Sequence, residues 1–571
     1  MTSTLPHFDV RSIPFSRRGA WINLSPVVAA HTTVDDVHLI SHRTGMHPVL
    51  AVRPRAVATD LVVEATPAML TWRGDGLRVD AVFEGTDAVR LRGTAGSAVD
   101  LTDAAARLTP FTGTYVFRDP TDGAAVFTSY ETGCRYRVTS IRGEMTISGA
   151  QRLGEAHRAV TLSGPDGWEA VIEEFETARR PYVEVRSFDE AAAEVATEFT
   201  RYVDAVAPWR SSAAPTADLA CYVMWSATVS PAGFLRRESV LMSKHWMDKV
   251  WSWDHCFNAL ALTPGLPDEA WDQFLAPFDH QDPEGALPDS IAHSERLYNF
   301  VKPPIHGWAL RRMRAAGWEP TPSQLRDAYD GLARWTHFWL ARRTSPASVL
   351  PVYQHGNDSG WDNSTAFDRD RVIHSPDLAA FLIIQLEVLA GLARELGEDH
   401  LPWQQRRDDI RAALMAELWR GDGFVTRGVE GGSSAGADGT RTSLITLLPL
   451  VAADALDTEV STALAAAVEP FLTEWGPATE LPSSPEYEPD GYWRGPIWAP
   501  STLLIEDGLR RAGASATADA VSERFRRLCE RSGFAENFDA LTGEGLRDRA
   551  YTWTAAVYLI LAREAAGRGE D

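Results

Sequence analysis

The stretch DEAAAEVATEFTRYVDAV, residues 189–206, is where the hydrophobic period of this chain changes. Its apolar residues recur at three- and four-residue spacing, the pattern of one buried helix face. Toward the N-terminus, residues 45–186 read as strands. MLTWR-GDG-LRVDAVF (69–83) is two apolar runs around a Gly-Asp-Gly turn, and YVFRD-PTDG-AAVFTSY (115–130) repeats the pattern. RYRVTS (135–140), EMTISG (144–149), AVTLSG (159–164), EAVIEEF (169–175) and YVEVRSF (182–188) follow at short spacing. Many short strands with polar turns predict an antiparallel β-sandwich over residues 1–188.

Toward the C-terminus the helical period persists over residues 189–571. Long helices are predicted near 323–343, 376–396, 402–419, 458–473, 499–512, 515–531 and 551–566, and shorter ones near 217–228, 254–263, 268–276 and 304–315. No sequence repeats at fixed period, so a solenoid is not favoured. A double ring of six inner and six outer helices is the other natural solution. Its connecting loops are long and rich in Gly, Pro, Trp and Asp, which points to function.

Composition narrows the classes. The 571 residues carry a formal charge of −23, from 78 acidic and 55 basic residues, so nucleic acid and anionic membrane are repelled. The four cysteines (Cys134, Cys221, Cys256, Cys529) form no CxxC pair, and no metal set or cofactor is expected. No run of eighteen apolar residues predicts a membrane span. The opening MTSTLPHFDVRS shows no basic segment followed by an apolar run, so no signal peptide and a cytoplasmic location are expected. Only three basic residues are lysines (Lys244, Lys249, Lys302), a bias read as coding composition.

Tryptophan is the informative count. Of 20, three lie in residues 1–200 and 17 in the remainder, many beside Gly, Pro, Asp and Arg. Aromatic rings among carboxylates suit a sugar: CH faces stack on rings, and hydroxyls bond to carboxylates. Six loops carry these residues. They are WSWDHCF (251–257), QDPEGALPD (281–289), KPPIHGW (302–308), HGNDSGWDNS (355–364), YWRGPIW (492–498) and ENFDALTGEG (536–545) with YTWT (551–554). Asp254 also fits an N-cap for the helix starting at His255. Lys302 to Trp308 reads as a proline-started helix entry. Asp362, beside Trp361, is a carboxyl against an aromatic wall, which raises its pKa toward general-acid work. Two separated carboxylates are the minimum equipment for glycoside hydrolysis.

In this order the six motifs resemble glycoside hydrolase family 63, over about residues 220–566. The resemblance implies an (α/α)6 barrel and an inverting mechanism on a small-molecule sugar substrate. It also implies Asp362 as general acid, Glu536 as general base, and Asp254 as a ligand for terminal-sugar hydroxyls. Trp251, Trp253, Gln281, His306, Trp361, Trp493, Arg494 and Trp498 would shape the same subsite. Two features differ from the small glycerate-glycoside hydrolases of that family: a β region precedes the helices, and Asp358 stands where a glutamate is expected. The implied activity is exo-acting α-glycoside hydrolysis, foremost of a small α-glucoside. A trehalase and a glucosylglycerate or mannosylglycerate hydrolase are alternatives. A phosphorylase, which would not need Glu536, and a noncatalytic sugar-binding module rank below them.

Overall fold

A computed structural model of the chain describes residues 5–55, 61–74, 76–105, 114–151, 157–429, 439 and 441–569. The chain divides into two compact units. The first comprises Met1–Pro208, Asp218–Lys249 and Ala292–Glu295; the second comprises Trp209–Ala217, Val250–Ile291 and Arg296–Asp571.

The N-terminal region is antiparallel β-structure in two sheets. One has six strands in the order Ile22–Ala29, Thr32–Ser41, His47–Pro54, Ala98–Asp103, Ala159–Ser163, Glu144–Ser148. The other has eight, in the order Val62–Thr66, Met69–Gly74, Leu77–Phe83, Ala88–Gly93, Trp168–Phe175, Arg135–Arg142, Ala125–Ser129, Thr114–Arg118. Both predicted hairpins form, Met69–Gly74 with Leu77–Phe83 and Thr114–Arg118 with Ala125–Ser129. Asp75, in the first turn, lies outside the described residues.

Within the β region the structure departs from the sequence reading at two places. The β-structure begins at Ile22, not near residue 45: Ile22–Ala29 carries Pro26, and the register shifts between Ser25 and Val27. A proline that cannot donate to the ladder sits at such a bulge and masks the strand pattern. Conversely, residues 182–186 are not a strand. Val183 and Val185 are exposed there; strand propensity without a ladder partner does not make a strand.

Two helices follow, α1 (Phe188–Val206) and α2 (Ala217–Ala227). Ser187 caps α1 in a reciprocal box with Glu190, which fixes the start of the helical period. Phe188, Ala191, Val195, Phe199, Tyr202, Val203 and Val206 form its buried face, the spacing read from the sequence.

The second unit is helical, with α3 (His255–Leu262), α4 (Pro267–Leu275), α5 (His306–Ala315), α6 (Pro322–Arg342), α7 (Gly356–Ser359), α8 (Pro376–Leu396), α9 (Leu401–Leu418), α10 (Thr458–Ala467), α11 (Ala499–Arg511), α12 (Ser515–Ser532) and α13 (Thr552–Arg568). Helix α10 ends six residues before the predicted 473, at a tighter turn carrying Pro470. A segment missed in the sequence, Leu444–Ala455, is a 3-10 run with Pro449 inside. It completes a cycle. Helix α13 packs on α3, α3 on α5, α5 on α8, α8 on Leu444–Ala455, that segment on α11, and α11 on α13. Helices α4, α6, α9, α10 and α12 pack outside its members. Helix α8 is long and apolar enough to cross a bilayer, but most of it is buried against its neighbours.

Four cycle members begin directly after a motif loop: α3 after Asp254, α5 after the KPP segment, α11 after Trp498, and α13 after Tyr551. Their N-terminal ends, where backbone N–H groups are unsatisfied and the helix dipole is positive, therefore adjoin the residues that carry the chemistry.

Candidate active site

The site is built from two carboxyl neighbourhoods and an aromatic wall, all within the second unit. The first neighbourhood forms where three loops meet. Trp251 pairs with Ser290 across a short antiparallel bridge, and the Ser252 N–H donates to the Asp289 carbonyl at 3.3 Å. This sets Asp289 beside the WSWD segment. Asp358 then clips the third loop in place: Oδ1 accepts from the Val301 N–H at 3.1 Å, and Oδ2 accepts from the Gln354 N–H at 2.9 Å and from Arg343 at 2.8 Å. The carboxylate that departs from the expected glutamate is thus a fully engaged brace.

Next to Val301, Lys302 donates to the Asn357 carbonyl at 2.7 Å. Its ammonium lies 3.2 Å from Asp289 and 3.9 Å from Asp362. Burial alone would depress the Lys302 pKa, but Asp362, Asp289 and Asp254 outweigh it and hold it above the ordinary value. Burial raises the Asp362 carboxyl; Lys302 opposes this and Asp289 adds to it. The Asp362 side chain keeps 29% of its surface open, on a cavity of about 450 Å3. His355, Asn363, Arg369, Arg371 and Arg494 line the same cavity.

Asp254 is buried, and burial pushes its carboxyl up to about 8, against the pull of Lys302. The N-cap alternative does not hold: Asp254 has helical backbone angles and makes no side-chain cap bond. Its Oδ2 has no hydrogen-bond partner among the described residues. A buried, unpartnered carboxyl oxygen at a helix entrance is costly, and a ligand hydroxyl would satisfy it.

Glu536 organises the second neighbourhood. Ile497 and Phe538 exchange backbone bonds at 2.8 and 3.0 Å, which ties the YWRGPIW loop to the ENFD loop. The Glu536 N–H donates to the Asp548 carbonyl at 2.7 Å, and Thr554 donates to the Ala535 carbonyl at 2.7 Å. The Tyr492 phenol lies close enough to the Glu536 carboxylate to favour its ionised form. Tyr492 holds φ at 63°, a left-handed conformation rare for an aromatic residue. The Arg547 guanidinium lies over the Tyr492 ring, 4.9 Å from its centre. Burial pushes Glu536 up to about 8; Asp548 adds to the shift, and Arg547 and Tyr492 oppose it.

The two neighbourhoods share neighbours. The Tyr492 phenol feels the charges of both Glu536 and Asp362, and the Tyr551 phenol those of both Glu536 and Asp254. Asn363 joins the loops directly: its Nδ2 donates to the Gly491 carbonyl and its Oδ1 accepts from the Trp493 N–H, both at 3.0 Å.

Behind them runs a chain of rings. Trp361 lies 4.7 Å from Trp493, Trp493 stacks on Trp498 at 4.1 Å, Trp498 meets Trp553 edge-on at 5.4 Å, and Trp553 meets Trp253 at 5.8 Å. Gly360 is in the left-handed region (φ 75°), and a Cβ there would come within 2.5 Å of the Trp253 ring. Only glycine lets that loop lie on the indole. These rings cover one another and are almost fully buried; of the five predicted tryptophans only Trp251 is half-buried.

Asp254, Asp362, Glu536 and the five tryptophans thus sit in or beside the two neighbourhoods. Three predicted residues are placed otherwise. Gln281 donates its amide to the Gly285 and Gly331 carbonyls at 2.9 and 3.1 Å, bracing its own loop; in that motif it is Asp289 that reaches the cluster. His306 is buried among Phe274, Phe278 and Trp335, bonds the Ser252 carbonyl at 2.9 Å, and is pushed down to about 4 by burial. It supports the WSWD segment from behind. Arg494 sits on the cavity rim, bound to the Asn363 carbonyl at 2.9 Å and paired with Asp368. Lys302, Asp289, Tyr492, Tyr551 and Asp548 join the site without having been singled out. Lys302 carried one overlooked signal: it is one of only three lysines in a chain whose other basic residues are arginines.

A family model described as the mannosylglycerate hydrolase MGH1-like glycoside hydrolase domain matches residues 247–554. The mannosylglycerate hydrolase of Thermus thermophilus is 26% identical over 391 residues, 55% of this chain and 94% of that protein. The mannosylglycerate hydrolase of Rubrobacter radiotolerans is 26% identical over 410 residues, 55% of this chain and 90% of that protein. Among solved structures, a family 63 mannosylglycerate hydrolase of Thermus thermophilus in complex with glucose aligns with a TM-score of 0.54 at 21% identity, over 61% of this chain and 99% of that one. A bacterial glucoamylase complexed with acarbose aligns with a TM-score of 0.62 at 11% identity, over 99% of this chain and 96% of that one.

Proposed function

The chain belongs to glycoside hydrolase family 63 and is a glycoside hydrolase, and we propose that it is an inverting, exo-acting α-glycosidase in which Asp362 is the general acid and Glu536 the general base. The closed cycle of helical segments, with its outer helices, supports an (α/α)6 barrel as the catalytic scaffold, and the two sheets support a β-sandwich before it. One observation carries the roles: the two carboxyls lie in different loops, the Tyr492 phenol feels the charge of both, and both are pushed up by burial. Asp362 opens on the cavity, where a leaving group has room. It gives its proton to the glycosidic oxygen as the C–O bond breaks. Glu536 takes a proton from the water that attacks the opposite face of the anomeric carbon. That water resolvates the Glu536 carboxylate, opposing the burial that raises it. Asp254 accepts hydroxyl hydrogens of the terminal sugar, and Trp251 packs beside it.

For the substrate we favour a small α-glycoside of an acid such as glycerate. The relatives named mannosylglycerate hydrolases match over nearly their whole length, and the cavity beyond Asp362 is lined by Arg369, Arg371 and His355 together with Asp368 and Asp370. A neutral α-glucoside is the second reading, because Asp368 already neutralises the rim arginine Arg494. The test is ion chromatography after incubation with mannosylglycerate, glucosylglycerate and the α-linked glucobioses, with NMR of the first sugar formed. Release of the β anomer from an α-glycoside is expected. The α anomer, or phosphate-dependent turnover, would overturn the mechanism.

A further inference from the structure

Lys302 has a place in this site that the acid–base pair does not account for. It is one of three lysines in the chain, and it is buried. The Asn357 carbonyl at 2.7 Å and the Asp289 carboxylate at 3.2 Å fix its ammonium, and the Asp362 carboxyl lies 3.9 Å away. Its backbone is fixed as well, because the preceding Val301 N–H donates to the buried Asp358, which also holds the loop leading to Asp362. A long, flexible side chain held at both ends delivers its charge to one point.

We propose that Lys302 is a positioning residue of the hydrolytic reaction, whose ammonium fixes the orientation of the Asp362 carboxyl and sets the pH above which that carboxyl no longer carries its proton. The proposal rests on the reading of Asp362 as general acid.

The groups facing Asp362 come from several segments. Asp289 and Asp254 are carboxyls of the same cluster and favour the protonated form. His355 precedes α7 on the same loop, the Tyr492 phenol comes from the YWRGPIW loop, and the Arg494–Asp368 pair lies on the rim. Among them, Lys302 is the strongest influence favouring the ionised form. Against three clustered carboxyls, one cation keeps the acid from becoming too weak to give up its proton. Its removal should raise the Asp362 pKa, because a nearby opposite charge lowers a carboxyl by about 1–3 pH units.

The test compares Lys302→Met, Lys302→Arg and Asp362→Asn in the full chain. The Asp362 carboxyl is followed by 13C NMR of enzyme labelled at aspartate Cγ, assigned by the signal missing in Asp362→Asn. Lys302→Met should shift its titration upward by about one pH unit or more, and Lys302→Arg should leave it near the wild-type midpoint. The alkaline limb of kcat/KM on mannosylglycerate, or on the best substrate of the screen, should move the same way. A lowered kcat in Lys302→Met with both the titration and the limb unmoved would mean a purely structural lysine and overturn the proposal. So would an equal shift in Lys302→Arg. If Lys302→Met fails to fold, Lys302→Gln, with folding checked by circular dichroism, replaces it under the same criteria. Full activity in Asp362→Asn would instead overturn the general-acid reading, whereas the NMR titration tests the lysine by itself.

Discussion

The strongest charged neighbour of Asp362 is a cation, Lys302, whereas that of Glu536 is another carboxylate, Asp548. The Asp362 side chain is 29% open on a cavity; Glu536 is 3% exposed. Burial raises both, but the neighbours push in opposite directions: Lys302 favours loss of the Asp362 proton, and Asp548 favours keeping the Glu536 proton. The same burial is thus opposed by the strongest neighbouring charge at Asp362 and reinforced by it at Glu536. A proton donor needs an outlet toward the leaving group, and a proton acceptor needs a fixed orientation toward one water. Under the proposed roles, the open cavity would give Asp362 that outlet and the Tyr492 phenol would orient Glu536.

Removing either carboxyl gives the largest effect. Asp362→Asn and Glu536→Gln should each lower kcat by about 10²-fold or more in steady-state assays. The comparison predicts an asymmetry: Asp362→Asn should recover much of its rate on an aryl glycoside whose phenol leaves without protonation, and Glu536→Gln should not. Equal recovery in both would erase the distinction between the two neighbourhoods.

Assayed above pH 8, where Asp254 is ionised, Asp254→Asn should reduce kcat/KM by about 10- to 150-fold, the loss of a charge-assisted bond worth roughly 1.5–3 kcal/mol. Unchanged kcat/KM in a folded variant would remove Asp254 from the proposed sugar contacts and leave it only its charge interaction with Lys302.

The pH profile tests the pair more finely. As the proposed general base, Glu536 would work ionised, so activity should fall as pH drops through its pKa. Burial pushes that pKa up toward about 8, so the rising limb should lie above the ordinary glutamate range. Asp548→Asn removes a raising charge and should move this limb to lower pH by up to about one unit. The amide oxygen can still accept the Ala550 N–H that Asp548 holds at 2.9 Å. Under the same pH scan the alkaline limb, assigned to Asp362, should respond less. A shift confined to the alkaline limb would reverse the assignment.

The smallest effect is on stability. Asp254 and Glu536 both have folded-state values raised to about 8. Such a group contributes stability that is fully present below its unfolded value near 4, and this is lost as pH rises through about 8. Asp254→Asn and Glu536→Gln should therefore melt a few degrees above the wild type at pH 9 and show little or no gain at pH 4. Thermal scans at the two pH values measure this, and a gain of equal size at both would point to packing instead of charge.

Part of the candidate site was legible from local residue patterns and part only through the family resemblance. Asp254, Asp362 and Glu536 stood out through aromatic neighbours, loop position and family resemblance, and each sits in or beside the two carboxyl neighbourhoods. Gln281 and Asp289 were equally visible in one loop, but no spacing rule says which end of a loop folds toward a partner. A bridge between Trp251 and Ser290 turned Asp289 inward, and two backbone carbonyls claimed Gln281. His306 shows the converse: a histidine in a motif can serve by holding the Ser252 carbonyl from within the core.

The change of period at residue 189, almost every helix to within a few residues, and the loops that carry the chemistry can all be read along the chain. They depend on apolar spacing, caps and turn residues that are close together in the sequence. That Leu444–Ala455, with its internal proline, closes the cycle emerges only from packing. Packing also brings Lys302 into a cluster with Asp254, Asp289 and Asp362, drawn from loops more than a hundred residues apart at their extremes, and sets Asp548 against Glu536. Proton affinities follow distances and burial between such loops, and those exist only once the chain has packed.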